Sequence, residues 1–488
     1  MLSAMVAVRF IFHDLGEDAL GVIYFTLALN SILCGALEMG VSSTVVREVA
    51  AHHLDNPEHV RDLLRTASSV YWIIYLILAA AVFWTAPFLV HRWIHLRSMA
   101  PDTAVMVIRL LGIAAATVLP RSLYVSIFRG LERMEVNNTI DAVVSIVQQV
   151  GAATIILLGG GLLVVTCWLA GMIVVWLGLY VVLCGQASSW GTLKPGFSRS
   201  SVERTFRFTA HMASVSILSV VHVQADKTIV SKLMAIGDLG YYGIASQLVT
   251  RATLLTNSVA QAAFPSLSAS IKQGDRAAAL RKYRKLQDLI CLGIVPLYAA
   301  IVFASVPLFS AIFSRRIALG MVLPTTWLSL GQYMNGTLTI PYLYSVADGR
   351  PDIAVRLNAF ALMLTVPLSI WLTIRFGLSG AAFSWVAYHI FAYSYGLPSI
   401  CRECIEVSPA VWYRHAFRIM LLAGLTYGGA YYVSTVYAFD SSVIMVSYVA
   451  ASLSFCIFAW YMADKELRKT VSLTIQQALL GHARVALL

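Results

Sequence analysis

The stretch Phe208–Lys232, FTAHMASVSILSVVHVQADKTIVSK, is long enough to cross a bilayer as one helix, yet it is not uniformly apolar. About 20 helical residues, at about 1.5 Å each, span a hydrocarbon core of about 30 Å. At about 100° per residue, His211, Ser219, His222 and Asp226 fall within one quadrant of that helix, and Lys227 lies about 100° further round. A lone charge at mid-bilayer costs about 3 kcal/mol or more, so such residues face water, a cavity or one another. The seam therefore predicts one wall of a central polar cavity with a helical lobe on either side.

The rest of the chain agrees with a membrane setting. Of 488 residues, 59% are hydrophobic and only 12% charged, with a mean hydropathy of +0.76; soluble domains carry about 25% charged residues. The apolar runs are about 20 residues long rather than alternating 10-mers, which selects helices over a β-barrel. The net charge of +11 is assigned to basic loops and an anionic substrate rather than to nucleic acid. Five of the seven cysteines lie inside apolar runs as small hydrophobes, and the Cys401/Cys404 pair has no second CxxC to complete a zinc site. No cofactor or metal is expected. Neither GxxxxGK[ST] nor HExxH occurs, so ATP-driven or zinc-dependent hydrolysis has no support.

The runs predict an all-α polytopic membrane protein of about 14 spans, with the first, Met1–His13, shortened. The others start at about residues 19, 64, 104, 140, 162, 208, 239, 286, 321, 353, 379, 415 and 443. About 24 Lys and Arg fall in one set of loops and in the tail, among them Arg47, Arg129, Lys194, Arg281, Arg350 and Lys469, against about 6 in the other set. That bias predicts both termini in the cytoplasm, and an inner-membrane location for a bacterial chain. Leu20-Gly21 matches Leu239-Gly240, Pro120 matches Pro341 and Gly130 matches Gly349 at nearly one shift. The repeat predicts two parallel six-helix lobes related by an axis along the membrane normal. Both prolines predict kinks. The expected organisation is an N-terminal lobe over 1–190, a cytoplasmic linker over 191–206, a second lobe over 207–400, two additional helices over 411–463 and a cytoplasmic tail over 464–488. Shifting the seventh span back by one repeat runs past residue 1, so either the first helix is a stub or the chain starts upstream of Met1.

Several stretches resemble a family when read in order. Glu38-Met39-Gly40-Val41-Ser42-Ser43-Thr44-Val45-Val46-Arg47-Glu48-Val49-Ala50 resembles the end of the second span of bacterial polysaccharide (O-antigen, Wzx-type) flippases. Phe128-Arg129-Gly130-Leu131-Glu132-Arg133, Ala225-Asp226-Lys227, Gly240-Tyr241-Tyr242, Phe264-Pro265-Ser266, Ala347-Asp348-Gly349-Arg350 and Gly377-Leu378-Ser379-Gly380 resemble later junctions of the same family. The resemblance covers nearly the whole chain. It implies the multidrug/oligosaccharidyl-lipid/polysaccharide exporter superfamily and alternating access. The implied substrate is an undecaprenyl-pyrophosphate-linked oligosaccharide moved across the inner membrane, with a periplasmic-side polymerase as a candidate partner. A lipid II flippase or a cation-coupled multidrug exporter of the same fold is the alternative, ahead of a membrane glycan polymerase or ligase, which would call for a larger outer loop.

A diphosphate crossing a bilayer needs fixed cations at span depth. Lys227, Arg9 at the matched repeat position, Arg121 after Pro120 and Arg251 within the eighth span are the candidate substrate-binding residues; guanidinium suits phosphate oxygens bidentately. Asp226, with His222 one turn away, is a candidate for proton or cation coupling. The bland alternative is that Lys227 is merely neutralised by Asp226 or Glu38. Glu38 is read as structural or gating. Tyr241, Tyr242, Trp93 and Trp371 are candidates for sugar stacking or, alternatively, interfacial anchors.

Overall fold

The computed structural model describes residues 7–53, 55–188, 190–198, 220–350 and 352–473; the side chains of residues 36–41, 43, 187–188 and 192 fall outside that description. Two positions of the polar seam, His211 and Ser219, and the side chain of Glu38 therefore lie outside the described residues. The described elements are helical, apart from one isolated parallel bridge between His95 and Ala235. The main helices are α1 (Glu17–His52), α2 (Pro57–Phe88), α3 (Pro101–Ala116), α4 (Val118–Gly130), α5 (Met134–Leu157) and α6 (Leu162–Ser188). They continue with α7 (220–233), α8 (Ile236–Arg251), α9 (Thr253–Lys272), α10 (Arg276–Gly293), α11 (Val295–Ile312) and α12 (Val322–Ala347). The last are α13 (Asp352–Phe391), α14 (Pro409–Ala423), α15 (Gly429–Val436) and α16 (Ser441–Met462). Among the described residues, nine helical stretches are long and apolar enough to cross a membrane, and one of them, Asp352–Ile405, takes in two of the expected spans.

Local chemistry sets the breaks. Gly377 adopts φ 57°, ψ −138°, which a residue with a Cβ rarely tolerates. It divides α13 between the expected eleventh and twelfth spans. Pro120 has no N–H for the Ala116 carbonyl, and α3 ends at Ala116 with Thr117 standing outside both helices. Pro341 behaves differently: α12 runs through it without interruption. The carbonyl that Pro341 leaves open belongs to Thr337, and the Gln287 side-chain amide donates to it at 2.9 Å. A neighbouring side chain thus replaces the lost bond, and no break is needed there.

The chain packs as two compact units, Met1–Gly243 and Ile244–Leu488. In the first, Tyr71, Tyr124, Phe128 and Tyr180 anchor a core shared by α2, α4 and α6. The linker is tied down where it is described: Ser69 donates to the Gly196 carbonyl at 2.8 Å and the Ser198 N–H donates to Thr66 at 3.0 Å. The start of α1 crosses the start of α8 with the backbones nearly touching. A Cβ on Gly21 would sit 2.0 Å from the Ile236 carbonyl oxygen, and one on Gly240 3.1 Å from the Gly21 nitrogen. These glycines belong to the repeat-matched Leu20-Gly21 and Leu239-Gly240, so equivalent positions of the two repeats meet one another. Small residues permit such close crossings in membranes.

In the second unit, α11, α15 and α16 share an aromatic cluster. Phe303 lies 5.3 Å from Tyr431 and 5.7 Å from Tyr448 between ring centroids, and Tyr448 donates to the Pro296 carbonyl at 3.1 Å. The two additional helices are therefore packed against the second unit's own core.

Substituting Gly21 by Ala is expected to cost about 1–3 kcal/mol through forced separation of α1 and α8. Gly171, with open space around its Cβ position, is expected to be neutral or to gain up to about 1 kcal/mol from helix propensity. Thermal unfolding of the two purified variants in detergent checks the contrast.

Candidate functional site

The described part of the polar seam is α7. Asp226 is 3% exposed and is the best-satisfied acid in the region. One carboxylate oxygen accepts from the Tyr242 hydroxyl at 2.6 Å, and the other accepts from the Lys227 backbone N–H at 2.8 Å. The Lys227 Nζ lies 3.5 Å from that second oxygen and 3.3 Å from the Val223 carbonyl. Asp226, Lys227 and Tyr242 are thus brought together, and the Lys227 ammonium is held on its own helix. Of the two acids the sequence offered for neutralising Lys227, Asp226 is in contact with it, and the Glu38 side chain lies outside the described residues. His222 stands one turn before Asp226, half-buried.

The C-terminal end of α7 is fastened to the loop after α2. Trp93 donates to Ser231 at 3.0 Å, Lys232 donates to the Arg92 carbonyl at 2.7 Å, and the Ile236 N–H donates to the His95 carbonyl at 2.9 Å. Beside this lies a cluster that the sequence reading missed. Asp18 is 1% exposed, and one of its oxygens accepts the backbone N–H groups of Arg97, Ser98 and Met99 at 2.7–3.0 Å. Arg97 reaches Glu17 at 3.4 Å and Asp238 at 3.5 Å, and Tyr241 donates to Glu17 at 2.5 Å. Burial, opposed by Arg97, leaves the Asp238 carboxyl above the ordinary aspartate range. A signal was present: acids stand just before both repeat-matched glycines, as Asp18 before Gly21 and Asp238 before Gly240. Acids at helix starts look like ordinary end residues, which hid their role.

The remaining cations are dispersed. Arg121 sits with its guanidinium 3.9 Å from the Trp176 ring centroid, and Trp176 and Tyr180 both donate to Asp141, at 3.0 and 2.9 Å. Arg121 therefore belongs to a polar cluster of α4, α5 and α6. Arg9 lies in the short helical segment before α1, with an exposed side chain. Arg251 ends α8, also exposed, and belongs to the second unit. Tyr241 and Tyr242 are 5% and 0% exposed and have their hydroxyls on acids, so neither offers a free face to a sugar. Trp371 is exposed, as an interfacial anchor would be. A groove of about 600 Å³ lies among α2, α3 and α6. Its one cation, Arg109, donates to the Phe83 carbonyl at 3.0 Å and stacks on the Phe83 ring, so the groove is apolar in effect.

The helical fold is one that solved membrane transporters share. It is similar to the solved structure titled "Lipid II flippase MurJ, inward closed conformation", with a TM-score of 0.74 over 94% of this chain and 96% of that one, at 13% identity. It is also similar to an inward-facing multidrug resistance MATE family transporter of the MOP superfamily, with a TM-score of 0.66 over 82% and 94% of the chains, at 14% identity. Within that fold, the pattern of the family described as "Polysaccharide biosynthesis protein" matches residues 15–318, more than half of the chain, and the chain belongs to that family. A relative from Shigella flexneri named "Putative O-antigen transporter" is 22% identical over 390 residues, covering 79% of this chain and 90% of the relative. The membership expected from the Glu38–Ala50 and Ala225–Lys227 motifs is therefore shown.

Two measurements test the local chemistry. Tyr242→Phe leaves the ring and removes the donor to Asp226, with an expected cost of about 1.5–3 kcal/mol for a bond to a charged group. Tyr298→Phe removes a buried hydroxyl that has no partner among the described residues and is expected to be neutral or stabilising in the same melts. At the opposite end of α1, beyond its apolar stretch, burial opposes the Glu48 charge. Hydrogen bonds from Arg47 and His59 outweigh it and hold the carboxyl below the ordinary glutamate range. A depressed carboxylate contributes stability that is present above its unfolded pKa and lost as pH falls through its folded value. Glu48→Gln is expected to cost about 1 kcal/mol at neutral pH, with the difference disappearing in acid.

Proposed function

We propose that the protein carries a lipid-linked oligosaccharide diphosphate from the cytoplasmic to the periplasmic leaflet of the bacterial inner membrane by alternating access. The observation that carries this reading is the family match over residues 15–318 on a chain that buries a lysine–aspartate pair in α7. The lipid tail stays in hydrocarbon, while the diphosphate and sugars need a polar route with fixed positive charge. Lys227, Arg9, Arg121 and Arg251 supply that charge in this reading. The excess of Lys and Arg on one set of loops supports the orientation, with both termini cytoplasmic. A polymerase receiving the sugar repeat unit on the periplasmic side is the natural partner of such a product.

The geometry around Asp226 gives the proposal a mechanism. With Asp226 ionised, the Lys227 ammonium is neutralised by its neighbour and by the Val223 carbonyl. Protonation of Asp226, or its occupation by a cation, weakens that pair and frees Lys227 for a phosphate oxygen. Tyr242 stays on the acid in either state, because a hydroxyl can donate to a carboxylate or accept from a carboxylic acid. Asp226, with His222 beside it, would then couple an ion to substrate capture. Arg121, stacked on Trp176, is a further cation for phosphate in this reading.

Neutral substitution of Lys227 or Arg9 (Lys227→Gln, Arg9→Gln) is expected to abolish surface glycan in a complementation assay while the protein remains inserted at normal levels. Full glycan display with both charges removed would overturn the cationic route.

A further inference from the structure

A second polar site lies wholly within the second unit, where the middle of α10 meets the start of α14 and the end of α16. It is a pocket of about 240 Å³ whose lining includes Arg284, Gln287, Asp288, Trp412 and His415. Gln287 and Trp412 are 4% and 6% exposed. Among the described residues, the Gln287 Oε1 and the Trp412 Nε1–H have no hydrogen-bond partner. The Gln287 amide cannot turn to cure this, because its Nε2 donates to the Thr337 carbonyl freed by Pro341. The Asp464 N–H donates to one Asp288 oxygen at 2.6 Å, and His415 Nε2 lies 2.9 Å from the other. Buried polar atoms without partners cost about 1–3 kcal/mol each and call for an occupant.

The chemistry of the gap defines that occupant. Gln287 supplies an unfilled acceptor, Oε1, next in sequence to the Asp288 carboxylate. Trp412 supplies an unfilled donor, Nε1, and Arg284 is an exposed cation in the same lining. An ammonium fits the first pair and a phosphate the second. The volume is below the about 300–1,000 Å³ of sites that enclose a whole drug-sized ligand, so the group entering is small. Apolar Leu280, Val411 and Met462 lie beside it, and the position is the boundary where the basic starts of α10 and α14 give way to apolar residues. We propose that this pocket binds the phosphoethanolamine headgroup of a zwitterionic phospholipid, pinning the two additional helices to α10.

Native mass spectrometry of the full-length protein, offered equal dioleoyl-phosphatidylethanolamine and dioleoyl-phosphatidylglycerol, tests it. One ethanolamine lipid is expected to be retained about tenfold over the glycerol lipid, the ratio that one charge-assisted hydrogen bond supplies. Soluble O-phosphoethanolamine is expected to compete and inorganic phosphate is not. Trp412→Phe and Arg284→Gln are each expected to lower retention about fivefold. Arg284 is exposed, so its variant carries the test if the Trp412 variant does not fold. Equal or greater retention of the glycerol lipid, competition by phosphate alone, no retained lipid, or retention unchanged in the folded variants would each overturn the proposal.

Discussion

A carboxylate and an ammonium side by side on a helix bounded by apolar sequence constrain everything around them. Neither Asp226 nor Lys227 can be left bare in a low-dielectric setting. The fold answers by bringing Tyr242 from α8 onto the acid and by folding the lysine back on its own helix. Tyr242 can reach Asp226 because α8 starts immediately after α7, at the glycine crossing with α1. The helix geometry and the electrostatics are therefore one problem. Gly21, Gly240 and Gly243 let α1 and α8 approach closely, and the same approach seats Tyr241 on Glu17.

The cluster around Arg97 has the opposite logic. Glu17, Asp18 and Asp238 outnumber Arg97, so Arg97 cannot satisfy all three at once. Asp18 escapes the competition by accepting three backbone N–H groups, which holds the loop at 97–99 against α1. Arg97 is left to bridge the two remaining acids at 3.4–3.5 Å with a half-exposed side chain. Exposed bridges of that length contribute little to stability, about 0–1 kcal/mol. The backbone clamp on Asp18, buried and multiply bonded, is the stronger fastening.

Much of the fold was legible in the sequence because hydrocarbon enforces a simple rule: long apolar stretches become helices whose backbone groups bond internally. Gly377 and Pro120 announced their breaks for the same reason, since each alters what the backbone can do on its own. Pro341 did not behave alike, because its missing bond is replaced by Gln287, about fifty residues earlier in the chain. The site was legible in the same measure. Asp226 beside Lys227 declares a pair by adjacency, whereas Tyr242, Trp176 and the loop N–H groups on Asp18 come from other elements. Arg121 looked like a lone cation and turned out to share a cluster with Asp141, Trp176 and Tyr180. A residue's partners are tertiary facts; only its need for partners is written locally.

That distinction bears on how ion coupling and substrate binding could share residues. Adjacent residues on one helix cannot separate by much, so Asp226 and Lys227 cannot exchange partners through a large motion of α7. In the proposed mechanism the element that changes is the charge on Asp226, and the 2.6 Å bond from Tyr242 would keep the acid in place. An opposite charge at about 3.5 Å in a poorly solvated site is worth several kcal/mol even with generous screening, enough to decide whether Lys227 is available to a phosphate. In the proposed mechanism Tyr242 would act as the pivot: by holding the carboxyl still, it would turn a local change of charge into a change in what the neighbouring ammonium can bind.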